Sequence, residues 1–272
     1  LLRRGDQVAW SLKQNMNYLP YLEFERRVLS MCKRQLRAGD FDIVHRITPM
    51  SPTLPSYGAG RTGTPFVIGP LNGNLAWPAA FRKEQTREKE RLRGLRNAYR
   101  YLPFARSTFR RSDAVLAAFS HTVDDMVFAD PASVVMFPEI GFDAEVFHST
   151  GRQQPFSGPG PYRFLYAGRL VPYKVPEAAI RAFATSPALA AHRLDVIGDG
   201  PELERLQAIV TEAGASDRVV FHGRKTQAEV AEAMRLSDAF VFPSIRELGA
   251  GVVIEAMASG VVTIVTDYGA PG

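Results

Sequence analysis

The 272-residue chain contains 46% hydrophobic and 22% charged residues, an ordinary globular composition that argues against a long disordered or fibrous protein. No apolar run approaches the roughly 18 to 20 residues that a membrane-spanning helix needs, so we expect a soluble or peripheral protein. The single Cys32 cannot form an internal disulfide, and no signal segment opens the sequence, so a cytoplasmic setting is expected.

The two ends of the sequence suggest a piece of a longer chain. The sequence begins Leu-Leu-Arg-Arg without a Met, and it ends at Gly272 just after an apolar run that ought to lead into another helix. We therefore expect a fragment that is truncated at both ends.

The first half of the sequence predicts an incomplete parallel sheet. A helical pattern covers about 21–37, and short apolar runs at 42–45, 66–68 and 114–118 predict strands that are each followed by a loop. These loops are rich in Pro, Ser and Gly. We assign residues 1–150 to a first Rossmann-like domain on the acceptor side.

A strongly basic segment lies within this first half. Residues 82–111 hold 11 Lys and Arg against 3 Glu, a net charge of +8. Leu92, Leu95, Tyr99 and Leu102 recur at helical spacing, which predicts a basic helix with one apolar face. Such a helix either packs on its own domain with a solvated face, or docks on anionic lipid or an acidic acceptor. Nucleic acid is disfavoured because no recognition motif accompanies the charge.

The second half alternates strands and helices regularly, after a Gly- and Pro-rich linker at 151–161. This alternation predicts right-handed βαβ units and a second Rossmann-like domain at 162–272, with its ligand at the carboxyl ends of the strands. The predicted strands are 164–167, 194–197, 219–221, 239–242 and 262–265, and the predicted helices are 176–185, 201–213, 227–236 and 252–259.

Two loops that follow predicted strands carry residues suited to a phosphate-bearing ligand. Gly168 and Arg169 end the first of these strands and Lys174 follows five residues later, so two cations are expected at a strand's carboxyl edge. The next loop contains Gly198 and Gly200, which permit a tight turn and a close approach of the ligand to the backbone. The loop lacks the third glycine of a dinucleotide fingerprint, which disfavours a NAD enzyme.

The most informative pattern is a pair of glutamates, Glu247 and Glu255, separated by seven residues. Between them, Gly249, Ala250 and Gly251 form a small-residue turn that opens a helix. Backbone N–H groups at such a helix start attract an anion. Because the carboxylates would repel phosphate, their expected partners are hydroxyl groups, one on a transferred sugar and one on a ribose.

Together, these motifs closely resemble the donor domain of glycosyltransferase family 4, whose signature is Glu-x7-Glu, over about 162–272. The resemblance implies a GT-B fold, with two Rossmann-like domains whose parallel sheets face a cleft, the first one being incomplete. It implies that Arg169 and Lys174 bind the donor diphosphate, that Glu255 holds the ribose, and that Glu247 contacts the sugar near the reacting centre. The implied donor-binding backbone and side chains are Gly168, Gly198, Gly200, Gly223, Arg224, Gly249, Ala250 and Gly251.

The chain departs from the family pattern in two places. Many members read Glu-Gly-Phe-Gly where this sequence has Glu-Leu-Gly-Ala from Glu247, so the turn is expected to shift by one residue. The strand near residue 45 resembles one that often ends in His-x-His, but only His45 is present. His45 is then a candidate for the sugar or acceptor side, or a structural histidine, and Gly69, Asn72 and Gly73 resemble another loop that faces the acceptor.

The resemblance implies a retaining, metal-independent hexosyltransferase that uses a nucleoside-diphosphate sugar and no cofactor. The expected acceptor is a glycan or lipid-linked molecule of polysaccharide or glycoconjugate synthesis, and residues 82–111 favour peripheral contact with the inner face of the membrane. The main rival is a catalytically silent module that binds a nucleotide sugar. A GT-B sugar phosphorylase or an epimerase-like protein would share the diphosphate features, and a NAD oxidoreductase ranks last. The donor base and sugar, the acceptor and the oligomeric state stay open.

Overall fold

Nine strands form two parallel sheets in the part of the chain that the structure describes, which comprises residues 17–73, 75–88, 93–152 and 154–271 of a computed structural model. Contacts divide the chain into two units. The first comprises Leu1–Ala76 and Gln85–Glu139, and the second comprises Trp77–Glu84 and Ile140–Gly272. Among the described residues, no helix combines the length and the apolar character needed to cross a bilayer.

The first unit is built on a four-stranded sheet in the order β1-β2-β3-β4. The three strands predicted here are confirmed with shifted limits, and the very short β4 was missed. The predicted helix at 21–37 is interrupted at Cys32, so that it forms two helices. The strands are β1 (Val44–Arg46), β2 (Phe66–Leu71), β3 (Ala114–Ala117) and β4 (Val134–Met136). The helices up to β4 are α1 (Tyr18–Met31), α2 (Lys33–Ala38), α3 (Arg82–Arg87), α4 (Ala105–Arg110) and α5 (Ser120–Val123), of which α3 is divided between the two units after Glu84.

The basic segment at 82–111 does not form the single amphipathic helix that its spacing predicts. Helix α3 ends at Arg87, a 3-10 helix covers Arg93–Tyr101, and α4 begins only at Ala105. Pro103 has no N–H for a helix, and Phe104 adopts a left-handed φ of 67°. Tyr99 is buried as predicted, whereas Leu92 lies outside the described residues. The segment therefore presents its charges from short, separate helices.

The second unit has a five-stranded parallel sheet in the order β7-β6-β5-β8-β9. All five predicted strands and all four predicted helices are confirmed, with limits that agree to within two residues. The strand order reverses between β5 and β8, and ligands of open α/β sheets bind at such a point. The strands are β5 (Arg163–Ala167), β6 (Arg193–Ile197), β7 (Val219–Gly223), β8 (Ala239–Phe242) and β9 (Val262–Val265), and the helices are α6 (Pro176–Thr185), α7 (Leu203–Glu212), α8 (Gln227–Arg235) and α9 (Gly251–Ala258).

Apolar layers cover both faces of this second sheet. On one face, Tyr166 and Val196 pack with Ile180 of α6 and Leu206 of α7. On the other face, residues of β5 and β8 pack against α8 and α9. A parallel sheet buried on both faces needs nearly continuous apolar strands, which explains why this half was readable from its sequence.

The residues just before β5 pack onto the second unit. The Arg152 guanidinium donates hydrogen bonds to the carbonyl oxygens of Met234, Arg235 and Ser237, at 2.7–3.0 Å, and so caps the carboxyl end of α8. Phe147 is buried in the second unit's core. The contact division at Ile140 therefore precedes the predicted linker at 151–161, and the predicted domain limits stay a prediction.

A buried carboxylate organises the first unit. Glu25 of α1 accepts hydrogen bonds from the Gly58 and Tyr57 N–H groups and from Ser56 Oγ. Its Oε1 atom also lies 3.1 Å from Arg46 Nε at the end of β1, and both side chains are less than 10% exposed. Glu25 thus joins a helix, a loop and a strand through charge-assisted contacts.

We expect Glu25→Ala to lower the free energy of unfolding by about 3–5 kcal/mol, because it leaves the Arg46 charge buried without its counter-ion. Urea unfolding followed by circular dichroism measures the change. Glu23→Ala on the same helix is the matched control, since Glu23 is exposed and pairs only with surface arginines, so its unfolding midpoint should stay close to that of the unsubstituted chain. Similar midpoints for the two variants would contradict the proposed role of Glu25.

Candidate functional site

Backbone hydrogen bonds join the loops at the carboxyl ends of the second sheet. The Gly168 N–H donates to the Ile197 carbonyl at 3.0 Å, and the Gly198 N–H donates to the Gly223 carbonyl at 2.8 Å. In the same way the Ile245 N–H, after β8, donates to the Tyr173 carbonyl at 3.0 Å. The predicted binding loops therefore form one connected surface around the strand reversal.

Two of the predicted glycines are required by the closeness of these loops. A Cβ atom on Gly198 would lie 1.9 Å from the Gly168 carbonyl oxygen, and the φ of Gly198 is +141°. A Cβ atom on Gly200 would lie 2.3 Å from the Leu170 carbonyl oxygen. Since no side chain fits at either position, these glycines set the shape of the loops.

A cavity of about 640 Å³ opens at this edge of the sheet. Its size falls within the range of small-molecule sites. It brings together seven of the predicted site residues, which are Gly168, Arg169, Lys174, Gly198, Gly200, Arg224 and Glu255. The predicted Gly223 precedes Arg224 with a φ of +66°.

The cations of the cavity fall into two groups. Arg169 and Arg224 form no hydrogen bond or ion pair with any other side chain that the structure describes, so both can accept an anionic ligand. Lys225 donates to Glu229 at 2.9 Å, and Lys174 donates to Glu247 at 2.6 Å. Two guanidinium groups that line a concave wall without a described side-chain partner suit a phosphate-bearing molecule.

The Lys174–Glu247 ion pair is largely shielded from water, because each side chain is only 12% exposed. Ser244 Oγ also donates to the same Glu247 oxygen at 3.0 Å, and the Lys174 ammonium lies 4.6 Å from the centre of the Phe242 ring. Beneath it, burial together with the negative charge of Glu247 raises the pKa of the Tyr166 phenol. Glu247 is thus a buried carboxylate with two partners, although it does not itself line the cavity.

Glu255 lines the cavity from helix α9. Burial raises the pKa of its carboxyl above the ordinary range, and none of the described residues donates a hydrogen bond to it. A half-buried carboxylate that has lost solvent without gaining a partner is a candidate for a ligand hydroxyl group.

The small-residue turn before α9 differs in detail from its prediction. The left-handed position is Ala250, with a φ of 51°, and α9 begins at Gly251. A Cβ atom on Gly249 would lie 2.0 Å from Ile140 Cδ1, so a larger residue there would require the Ile140 side chain to move. The cavity is not lined by Gly249, Ala250 or Gly251. Val252, which follows this turn in helix α9, lines it instead.

The four acceptor-side candidates lie together at the carboxyl edge of the first unit's sheet. His45 Nε2 donates to the Gly69 carbonyl oxygen at 2.7 Å, which fixes the tautomer of the ring. The side-chain amide of Asn72 donates to Glu139, and the Gly73 carbonyl accepts from Thr122 Oγ1 at 3.0 Å. Each of these residues is thus held by its own hydrogen bond within the first unit.

Sequence reasoning did not single out several residues that line the cavity. Phe147 precedes the predicted linker, and the apolar side chains have no polar signature that would mark them. Tyr173 and Lys225 are each next in the sequence to a predicted site residue, and this adjacency is the signal that could have identified them. The lining residues missed in this way are Phe147, Ala167, Tyr173, Ile197, Asp199, Lys225, Gln227, Val230 and Val252.

Comparison with known proteins points to one family. Residues 149–272 match the model described as "Glycosyl transferases group 1". The chain is also 29% identical over 246 residues to a GDP-mannose-dependent alpha-mannosyltransferase of Mycobacterium tuberculosis (strain CDC 1551 / Oshkosh), an alignment that covers 88% of this chain and 58% of that protein. The chain therefore spans little more than half of this relative's length.

Solved structures show the same fold at low sequence identity. The apo form of the lipopolysaccharide outer core galactosyltransferase WaaB is 19% identical, with a TM-score of 0.60, over 91% of this chain and 63% of that one. Anabaena Alr3699/HepE in complex with UDP and glucose is 17% identical, with a TM-score of 0.58, over 90% of this chain and 64% of that one. The predicted GT-B fold class is thereby confirmed.

We expect Glu255→Gln to raise the melting temperature by about 2–4 °C at pH 7.5. Because its pKa is raised in the folded state, the charged carboxyl lowers stability at neutral pH, and this loss disappears as the pH falls below the ordinary range of a glutamate. The difference between variant and parent should therefore close near pH 4. Thermal unfolding across this pH range measures it.

Glu229→Gln is the opposite-sign control for this titration. Hydrogen bonds from the Thr226 N–H and from Lys225 lower the pKa of Glu229 to about 2, so removing its charge should lower the melting temperature at pH 7.5. A destabilised Glu255→Gln variant would overturn the interpretation of Glu255 as an unpartnered buried charge.

Proposed function

Because residues 149–272 form a group 1 glycosyltransferase domain, we propose that the whole protein is a retaining glycosyltransferase of family 4. It moves a hexosyl group from a nucleoside-diphosphate sugar to an acceptor hydroxyl. The observation that carries this proposal is the cavity at the strand reversal, which Arg169, Arg224 and the half-buried Glu255 line together, none of the three side chains having a partner among the described side chains. Cations suit the diphosphate, and the carboxylate suits sugar hydroxyl groups.

In the proposed complex, Arg169 and Lys174 bind the diphosphate and Arg224 adds positive charge to the same wall. Glu255 accepts hydrogen bonds from the ribose hydroxyl groups. Glu247 contacts the transferred sugar near its reacting carbon. The closely packed glycine loops at Gly198 let the donor lie against the backbone, and the start of α9 supplies a favourable dipole for the phosphates.

The proposed chemistry needs no base from the protein. The bond between the anomeric carbon and the diphosphate oxygen breaks, and the new glycosidic bond forms on the same face of the sugar. The acceptor hydroxyl passes its proton to the departing diphosphate oxygen. Negative charge grows on that diphosphate, and fixed cations that are already in place stabilise it without reorganising. The scheme uses no metal ion and no cofactor.

We assign the acceptor to glycan or lipid-linked synthesis. The compared proteins include one that acts on a lipopolysaccharide outer core and one that depends on GDP-mannose, which supports a glycan product. The basic segment at 82–111 carries a net charge of +8, and we propose that it meets anionic lipid at the inner membrane face. His45, Asn72 and their hydrogen-bonded neighbours are the proposed acceptor side.

The donor is tested with a panel of nucleotide sugars that combines uridine, guanosine and adenosine diphosphates with glucose, galactose and mannose. We expect one base to raise the melting temperature of the protein, since a ligand that binds only the folded state stabilises it. Transfer or slow hydrolysis of the same donor separates an enzyme from a silent binding module. No stabilisation by any member of the panel would refute nucleotide-sugar binding.

We expect Arg169→Ala to weaken binding of the selected nucleoside diphosphate by about 1.5–3 kcal/mol, the range for hydrogen bonds to charged groups. Isothermal titration calorimetry measures the affinity. Arg181→Ala is the matched control, because Arg181 lies on α6 outside the cavity and pairs with Glu177, and it should bind as tightly as the parent. Unchanged affinity in a folded Arg169→Ala variant would remove Arg169 from the diphosphate site.

A further inference from the structure

The proposed diphosphate site contains a carboxylate at very short range. Glu247 Oε1 lies 2.6 Å from Lys174 Nζ, and both side chains are nearly buried. Ser244 Oγ donates a hydrogen bond to the same carboxylate oxygen at 3.0 Å, which favours this position of the carboxylate. Any phosphate oxygen that bonds to Lys174 must then lie within about 5.5 Å of Glu247.

This geometry has a different effect on the two molecules that must occupy the site in turn. In an intact donor, the sugar is bonded to the outer phosphate. The hydroxyl groups of that sugar can donate hydrogen bonds to Glu247. After transfer, the anomeric bond is broken and the outer phosphate carries a further negative charge near neutral pH, since such a group has a second pKa near 6. That additional charge faces Glu247 in a poorly solvated site, where repulsion is stronger than in water.

We propose that Glu247, through its ion pair with Lys174, makes the site select the intact nucleoside-diphosphate sugar over the nucleoside diphosphate that remains after transfer. The inference rests on the proposed function and concerns the same cavity. Glu247 keeps Lys174 partly neutralised, and the sugar must draw the carboxylate to itself before the ammonium is free for phosphate. The spent nucleotide cannot do this, so it leaves the site more readily.

The other cations of the cavity sharpen this selection. Arg169 and Arg224, which have no partner among the described side chains, attract both molecules through the phosphates. Lys174, by contrast, is paired with the largely buried Glu247 carboxylate, whereas the partner of Lys225, Glu229, is about half exposed. Glu255, the second carboxylate, lines the cavity without contacting a cation, so its expected contact with the ribose is common to donor and product. The two glutamates of the motif therefore differ in what they distinguish.

The test measures the affinities of Glu247→Gln for the nucleoside diphosphate and for its intact sugar donor by calorimetry without acceptor. Removing the charge of Glu247 should lower the dissociation constant of the nucleoside diphosphate at least about tenfold. The affinity for the intact donor should stay level or weaken, because the carboxylate no longer meets the sugar. The preference for donor over product should fall accordingly.

Two controls separate charge from shape and from position. Glu247→Asp keeps the negative charge and should leave the nucleoside diphosphate no tighter than in the parent. Glu255→Gln removes the same charge at the ribose position and should weaken both ligands alike. If the glutamine variant does not fold, Glu247→Ala serves as the second neutral variant with the same expected tightening.

The outcomes distinguish the two levels of the proposal. A parent protein that binds neither ligand overturns the proposed function itself. A parent that binds both, together with neutral Glu247 variants that bind the nucleoside diphosphate no more tightly, overturns this inference and leaves the function standing. Equal tightening of product and donor would also overturn it, because the charge would then act on the diphosphate without discrimination.

Discussion

The approach of Gly198 to the Gly168 carbonyl oxygen is the constraint on which the cavity at the strand reversal depends. Where a Cβ atom would lie 1.9 Å from that oxygen, only glycine lets the loops after β5 and β6 run side by side. The hydrogen bonds from Gly168 to Ile197 and from Gly198 to Gly223 then connect three strand ends into one wall. That wall holds Arg169 and Arg224 at the strand reversal.

Some charged side chains of this wall have partners and others have none among the described residues. This arrangement suits ligand binding more than it stabilises the fold. Burial raises the pKa of the Glu255 carboxyl, and none of the residues that the structure describes donates a hydrogen bond to offset the loss of water. Two residues beside the site, Val175 and Ala250, have left-handed backbones that are unfavourable for side chains with a Cβ atom. Strained backbone and perturbed pKa values of this kind concentrate at functional sites.

The first unit solves a different problem, which is to hold long loops on a small sheet. Glu25 links α1, a loop and the Arg46 end of β1 through buried charge-assisted contacts. Next to Arg46 in the same strand, His45 donates to the Gly69 carbonyl, so an exposed imidazole is held in one tautomer. A polar edge of this kind suits recognition of hydroxyl groups, and its part in acceptor binding is a proposal.

The sequence by itself determined the elements of the second unit and its principal site residues. The strands of a sheet buried on both faces are continuous apolar runs, which are easily recognised in the sequence. Glycines, cations and carboxylates at the strand ends identify the loops. The first unit was less readable, because β4 has three residues and the spacing at 82–111 predicts a helix that Pro103 and Phe104 interrupt. Only the tertiary structure decided that Lys174 pairs with Glu247, that Ala250 takes the left-handed position, and that Phe147 lines the cavity. These facts depend on contacts between residues far apart in the chain. Such contacts cannot be predicted from the local sequence pattern.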